Sequence, residues 1–248
     1  VLWEMFKPFK EKLRLETEAD GTVNQLNCPK LLISADNHFL LKGDVSLQDL
    51  SHPQDAYIFG NLSNLYADPD GIAFFVRNLS KECETYKGVP PALQHLGTIS
   101  FRGEISGYFT DLVTYGEVRT DIGTVKTDVK FSSDKEKGYF SYSGAVKTAE
   151  FELGKLLAND KFGKVTFNMD VKGSHYAKRY PSVTMKGLVA SIDYSDYTYE
   201  NITLDGEYKQ GGFNGNVSFD DENGAIQLNG SINTAGKIPT FNFRADVD

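Results

Sequence analysis

Apolar and polar residues alternate with a period of two along most of the chain. Between Phe39 and Leu47, every second residue is apolar or glycine, and most of the others are polar. Successive side chains of a β-strand point to opposite faces of the sheet, so this pattern predicts short strands, about five to eight residues long, with one apolar and one solvated face. The same alternation recurs at 125–131, 140–146, 165–171, 183–189, 202–208, 217–219, 226–232 and 241–243.

Short links rich in glycine and polar residues separate the predicted strands. Gly211-Gly212, Asn223-Gly224 and the segment 134–138 are typical turn sequences. Links of this length join only neighbouring antiparallel strands, because a parallel crossover needs roughly a dozen residues or more. The sequence therefore predicts a mostly β fold that runs as an antiparallel meander.

One strand motif occurs twice in the chain. Residues 96–107 read LGTISFRGEISG and residues 162–173 read FGKVTFNMDVKG, with glycine, phenylalanine and glycine at matching places. Repeated units that bury their apolar faces against neighbours are typical of elongated proteins. We therefore expect one continuous elongated domain. In it, 1–95 supply the first strands and short helices of a β-repeat unit, and 96–248 continue the repeat region.

A few short helices are expected ahead of each motif. Apolar residues at helical spacing follow Asp68, a predicted N-cap, and Pro69, which suits the first helical position; they continue to Cys83. A second turn is predicted at Pro91 to His95. A third is predicted around Leu153 to Leu157.

Composition and charge exclude several classes of function. The formal net charge is −8 and the longest basic run is Lys178-Arg179, which argues against a nucleic-acid partner. The four histidines are isolated and no catalytic or nucleotide-binding motif occurs, so we expect no enzyme activity, no metal and no cofactor. Cys28 and Cys83 are too few for a disulfide framework. Because the chain opens on Val1 within an apolar pattern, we interpret it as a piece of a longer protein.

Three segments carry a resemblance to a known family: LGTISFRGEISGYFTDLVTYGEVRTDIGTV from 96, FELGKLLANDKFGKVTFNMDVKG from 151, and YTYENITLDGEYKQGGFNGNVSFDDENGAIQLNGSI from 197. They resemble the periplasmic repeat region of the TamB branch of AsmA-like proteins, most closely over 96–248. The resemblance implies a sheet curled into a groove with an apolar interior. It also implies a periplasmic segment of an inner-membrane-anchored protein, phospholipid transport between the two membranes, and support of outer-membrane protein assembly with a barrel partner.

A lipid-binding groove also agrees with the amount of apolar strand surface. Ten or more strands, each with one apolar face, exceed the ~300–600 Å² patch that a soluble monomer usually exposes, so that face must be closed or occupied. Glycines on the apolar register, such as Gly103, Gly144, Gly187, Gly206, Gly215 and Gly230, would leave room for a ligand or let the sheet bend sharply. The predicted lining residues are Phe101, Ile105, Val129, Phe131, Phe140, Tyr142, Val165, Phe167, Met169, Val171, Val183, Met185, Val189, Ile202, Leu204, Val217, Phe219, Ile226, Leu228, Ile232, Phe241 and Phe243.

The main alternative is a compact β-sandwich that binds carbohydrate or a protein. Such a module would gather exposed aromatic residues at one loop end. Phe101, Phe167 and Phe219 instead lie within the apolar alternation, which favours the groove. An outer-membrane barrel is disfavoured by the short predicted strands and interposed helices.

Overall fold

The computed structural model describes residues 13–35, 37–52, 55–73, 94–134, 138–176, 182–221, 224–233 and 240–247. Cys83 and most of the helical segments predicted between 69 and 95 lie outside these ranges.

The described strands form one open antiparallel sheet. From β3 to β15 each strand is hydrogen-bonded to the next along the chain, while β1 and β2 both pair with β3. The predicted mostly β meander is thus confirmed. The strands are β1 (Leu13–Glu16), β2 (Asp20–Thr22), β3 (Gln25–Ala35), β4 (Phe39–Gln48), β5 (Tyr57–Ala67), β6 (Ile99–Tyr108), β7 (Asp111–Thr120), β8 (Gly123–Asp134), β9 (Tyr139–Glu152), β10 (Phe162–Tyr176), β11 (Ser182–Tyr194), β12 (Tyr197–Lys209), β13 (Gly212–Asp221), β14 (Gly224–Asn233) and β15 (Thr240–Val247).

Most strands are longer than the predicted five to eight residues, and β10 has 15. The prediction of short strands was wrong, and in β9 and β10 one reason is that β-bulges interrupt the period-two alternation without ending the strand. One example is the register shift between Val165 and Phe167, opposite an extra residue in β9. Near it, Glu150 takes a φ of 50° and donates its backbone N–H to Thr166 Oγ1 at 3.0 Å.

The chain divides into two compact units, Val1–Thr124 and Val125–Asp248. In the first unit one sheet face carries a buried cluster that includes Cys28, Leu62 and Phe101. The β4–β5 loop contributes to it, because Leu50 and Ala56 are only 4% and 0% exposed. The backbone N–H of Leu50 is bonded to Val23 O at 3.2 Å. The apolar face of this unit is therefore covered in part by its own loop.

In the second unit the two sheet faces differ sharply in chemistry. Directly paired residues in an antiparallel sheet share a face, so successive pairs define rows that cross the strands. One face carries aliphatic, aromatic and glycine residues, and the other is mostly charged or polar. A representative polar row runs Asp128, Ala145, Asp170, Lys186, Asp205, Asn216, Asn229 and Arg244.

The glycines of the apolar register serve two structural purposes. A Cβ at Gly206 would lie 2.4 Å from the ring of Phe213, so an aromatic ring fills the space above this glycine. At Gly144 and Gly230 a Cβ would lie 2.0 Å from a backbone oxygen of the neighbouring strand, and φ is 150° and 152°. Only glycine tolerates that approach and that dihedral readily. The expected free space is absent at Gly206, and close backbone approach explains Gly144 and Gly230.

The predicted helix starts agree with the structure where it is described. Residues 69–73 are helical, and Gly71 N–H donates to Asp68 Oδ1 at 2.8 Å, which confirms Asp68 as the N-cap. Residues 94–95 are helical ahead of Gly97, whose φ is 67°. The predicted third helix is Leu153–Leu157; it packs against β10 and ends at Ala158 in the left-handed conformation.

Candidate functional site

The apolar face of the second unit is the candidate site, and its side chains lie in rows across β8 to β15. Two central rows combine aliphatic residues with glycines, whereas the rows on either side carry most of the aromatic rings. The four rows are Phe131, Tyr142, Gly173, Val183, Tyr208, Phe213, Ile232 and Phe241; Val129, Gly144, Val171, Met185, Gly206, Gly215, Gly230 and Phe243; Thr127, Val146, Met169, Gly187, Leu204, Val217, Leu228 and Ala245; and Val125, Thr148, Phe167, Val189, Ile202, Phe219, Ile226 and Val247.

Exposure of this face differs among its strands. Val129 and Met169, on β8 and β10, are 5% and 9% exposed. Leu204, Val217 and Leu228, on β12 to β14, are half-buried. On β15 Phe241 reaches 67% exposure. The apolar side chains of the two central rows on β11 to β14 are therefore half-buried and in part accessible to an apolar ligand.

Aromatic pairs border the aliphatic rows near both strand ends. At one end the rings of Phe131 and Phe140 stack with centroids 6.1 Å apart. At the other end Phe162 and Tyr194 lie 5.0 Å apart, and Tyr199 and Phe219 lie 6.4 Å apart. Burial raises the pKa of Tyr142, whose ring lies over Gly173. Aromatic rings thus flank the two central aliphatic rows, which together we call the aliphatic strip.

The structure brings together the predicted lining residues of the second unit on this one face. Val129, Val165, Met169 and Val189 are buried, Phe140 and Phe241 are exposed, and the rest are half-buried. Phe101 and Ile105 belong to the first unit. There Phe101 is 8% exposed within the buried cluster, and Ile105 packs against that cluster.

Several residues of the candidate face were missing from the predicted lining. Phe151, Ile192 and Tyr199 pair with Val165 or with each other to form a further row. Bulges put them out of step with the simple alternation, so a period-two reading of the sequence misses them. Phe213 could have been found, because it lies two residues before Gly215 on the predicted apolar register.

The polar face of the second unit holds a concavity of about 830 Å³. Within it Lys186 Nζ lies 2.8 Å from Asp205 Oδ2, and this hydrogen bond raises the pKa of Lys186. Asn229 donates to Asn216, and Thr203 is hydrogen-bonded to Ser218. These side chains present both donors and acceptors, a chemistry suited to polar ligands.

The repeated motif makes the same backbone contact in each unit. In the first, Asp121 Oδ2 accepts the backbone N–H of Thr98, which follows Gly97, at 3.1 Å. In the second, Asp193 Oδ2 accepts the N–H of Lys164, which follows Gly163, also at 3.1 Å. Asp121 lies in the turn after β7, the strand that follows β6. Asp193 lies near the end of β11, the strand that follows β10. The matching contact supports the interpretation that one structural unit has been used twice.

These hydrogen bonds depress the aspartate pKa values. The pKa of Asp121 is lowered by its bonds to the side chain and backbone of Thr98. The pKa of Asp193 is lowered first by Thr198 Oγ1, which donates at 2.7 Å, and then by the N–H of Lys164. A depressed folded-state pKa stabilises the fold above the unfolded value of ~3.9, and that contribution disappears as the pH falls through the folded pKa.

Asp193→Asn is expected to lower the free energy of unfolding at pH 7 by about 1 kcal/mol or less, because the side chain is partly exposed. The difference from the natural chain should shrink as the pH falls below the unfolded-state value of ~3.9 and through the lowered folded-state pKa of Asp193. Urea unfolding followed by circular dichroism between pH 3 and 7 measures this. Thr198→Val removes one donor and keeps the carboxylate, so it should reproduce part of the effect. A difference that does not depend on pH would contradict the assignment.

The described residues show neither a metal-binding cluster nor a membrane-spanning helix. They contain no group of three or more His, Cys, Asp or Glu side chains placed to hold a metal ion. No helix in the described ranges has the length and apolar character needed to cross a membrane.

No family model matches the chain, and no curated protein or solved structure matches it.

Proposed function

We propose that this chain binds phospholipid acyl chains on the apolar face of its second unit. The observation that carries the proposal is the half-buried aliphatic strip on β11 to β14, which includes Met185, Leu204 and Val217. In water, a contiguous apolar surface of this kind is normally covered by a ligand or by a partner. A hydrocarbon chain suits it, because the two central rows on β11 to β14 present no hydrogen-bonding side chains.

The dimensions and energetics of an acyl chain fit the strip. Neighbouring strands lie ~4.8 Å apart, so a chain ~15 Å long, which fills one leaflet of a ~30 Å hydrocarbon core, would cross about three strand spacings. Burial contributes ~0.8 kcal/mol per methylene, so a sixteen-carbon chain could gain on the order of 10 kcal/mol. Because this attraction is not directional, the chain can slide from one position to the next.

The cellular setting of the proposal comes from the resemblance to the TamB branch of AsmA-like proteins. On that basis we place the chain in the periplasm, as part of a protein anchored in the inner membrane. It would carry phospholipid between the inner and outer membranes or support outer-membrane protein assembly with a barrel partner. The repeated contact of Asp121 and Asp193 supports the repeat architecture that this resemblance implies.

Native mass spectrometry of the chain purified from bacterial cells without detergent tests the binding. We expect a population whose mass exceeds that of the protein by one or more phospholipids, identified by lipid release and fragmentation. The adduct should disappear after delipidation and return after incubation with phospholipid vesicles. Protein that stays free of lipid under both conditions would contradict the proposal.

The polar concavity, whose lining residues lie between positions 186 and 246, supports a second candidate function. Its paired charges, amides and hydroxyls favour a neutral polar ligand such as an oligosaccharide. Isothermal titration calorimetry with soluble oligosaccharides tests this, with Asn229→Ala as the variant expected to weaken binding. Absence of heat with a panel of neutral oligosaccharides would exclude it.

A further inference from the structure

The first unit carries a cluster of exposed aromatic and aliphatic residues on the face opposite its buried core. Phe59, Tyr108, Val113 and Tyr115 are 47%, 49%, 38% and 64% exposed. We call these four residues the outer patch. They contrast with the second unit, whose corresponding face is mostly polar.

The register shows that the outer patch is contiguous. Phe59 and Val113 both pair with Ser106, so they share one row across β5, β6 and β7. Tyr108 lies in the adjacent row, where it pairs with Tyr57 and the two rings meet edge to face at 5.3 Å. Tyr115 lies in the row on the other side of Phe59. Three neighbouring rows thus form one aromatic surface.

The charges of these rows all have one sign. On β4 to β7 their charged residues are Asp44, Glu104 and Asp111, and none is basic. Glu104 pairs directly with Tyr115. The arginines of β6 and β7 lie outside these three rows: Arg102 pairs with Glu117 in the row next to Glu104 and Tyr115, and Arg119 Nε bonds Glu117 Oε1 at 2.6 Å. Aromatic rings beside carboxylates are complementary to cations.

The size of the outer patch limits its occupant. Three rows on three strands cover roughly 13 by 10 Å. A stable interface between folded domains needs about 800 Å² per partner, several times more. A short extended segment fits this area better.

We propose that the outer patch binds a short segment of a protein partner that carries arginine or lysine between apolar residues. A planar guanidinium stacks on an exposed ring such as Tyr115 while it donates hydrogen bonds to a carboxylate such as Glu104. The apolar residues of the segment would cover Phe59 and Val113. The proposed peptide site lies on the first unit, so the result of its test does not depend on lipid binding by the second unit.

Fluorescence anisotropy with a labelled Arg-Leu-Arg-Leu-Arg-Leu amide tests the proposal. We expect saturable binding that weakens with salt, and at least a fivefold rise in Kd for Tyr115→Ala and for Phe59→Ala. Glu104→Gln should raise Kd about threefold and reduce the salt dependence. The control is Leu188→Ala, which removes a 41% exposed apolar residue from the second unit and should leave Kd unchanged. Circular dichroism verifies that each variant is folded.

Four results would overturn the proposal. The first is equal binding of the same peptide with citrulline in place of arginine, since citrulline lacks the charge. The second is a Kd unaffected by Tyr115→Ala and Phe59→Ala, or equally affected by Leu188→Ala. The third is that the chain binds cellohexaose but not the peptide, and that Tyr115→Ala abolishes the binding of cellohexaose. That result would assign the surface to carbohydrate. The fourth is absence of binding by every probe.

Discussion

Met185→Glu is expected to reduce bound phospholipid at least tenfold while the sheet stays folded. Met185 lies on the apolar face of β11, paired with Val171 and Gly206. A carboxylate there would face hydrocarbon that offers it no hydrogen bond, and each 1.4 kcal/mol of that penalty lowers affinity tenfold. Met185 is half-buried, so with no lipid bound the carboxylate keeps access to water, and we expect a loss of unfolding free energy of about 1–3 kcal/mol.

The matched control is Thr184→Glu, which places the same charge on the adjacent, exposed position of the opposite face. It should leave lipid content and unfolding midpoint close to those of the natural chain. Lipid extraction normalised to protein, with circular-dichroism melting, measures both quantities. A folded Met185→Glu variant with unchanged lipid content would exclude this face as the binding surface. Unfolding would indicate that a closed core, not a ligand, covers Met185.

Leu62→Ala is expected to lower the free energy of unfolding of the first unit by an amount in the upper part of the ~2–5 kcal/mol range for such substitutions. Leu62 is 2% exposed, and its paired neighbours are Gly43 and Gly103. Glycines have no side chain that could relax into the space left by the leucine. Equilibrium urea unfolding followed by circular dichroism measures the change.

The control for this substitution is Leu188→Ala, because the same side chain is truncated at an exposed position. It should change the unfolding free energy by about 0.5 kcal/mol or less. A loss below about 1 kcal/mol for Leu62→Ala would show that the first unit does not hold the dry core inferred from burial.

Much of the sheet could be predicted from the sequence, because a strand's side-chain period is two and one face is apolar. That rule placed Met169, Leu204 and Phe219 on a common face, and short turns required antiparallel neighbours. The period-two rule does not predict β-bulges, because an inserted residue such as Glu150 shifts the alternation without being a distinctive residue type. Phe151 and Tyr199 were missed for this reason.

Two other features depend on tertiary contacts that an alternation pattern does not encode. The burial of Leu50 and Ala56 follows from where the β4–β5 loop lies on the first unit. The outer patch arises because Tyr57, Ile58 and Phe59 are all apolar, so both faces of β5 carry large side chains. Period-two reasoning assigns such a run to neither face. Only the register with β6 and β7 brings Phe59 beside Val113 and Tyr115.

Site-specific photocrosslinking tests the central claim most directly. A photoreactive phenylalanine analogue at Leu204, on the apolar face, is compared with the same analogue at Thr203, the adjacent exposed residue on the polar face. Cells are grown with radioactive phosphate, irradiated, and the purified chain is analysed for covalently attached phospholipid. We expect at least tenfold more label at position 204 than at 203. Equal labelling at the two positions, or none at 204, would contradict binding of phospholipid on this face.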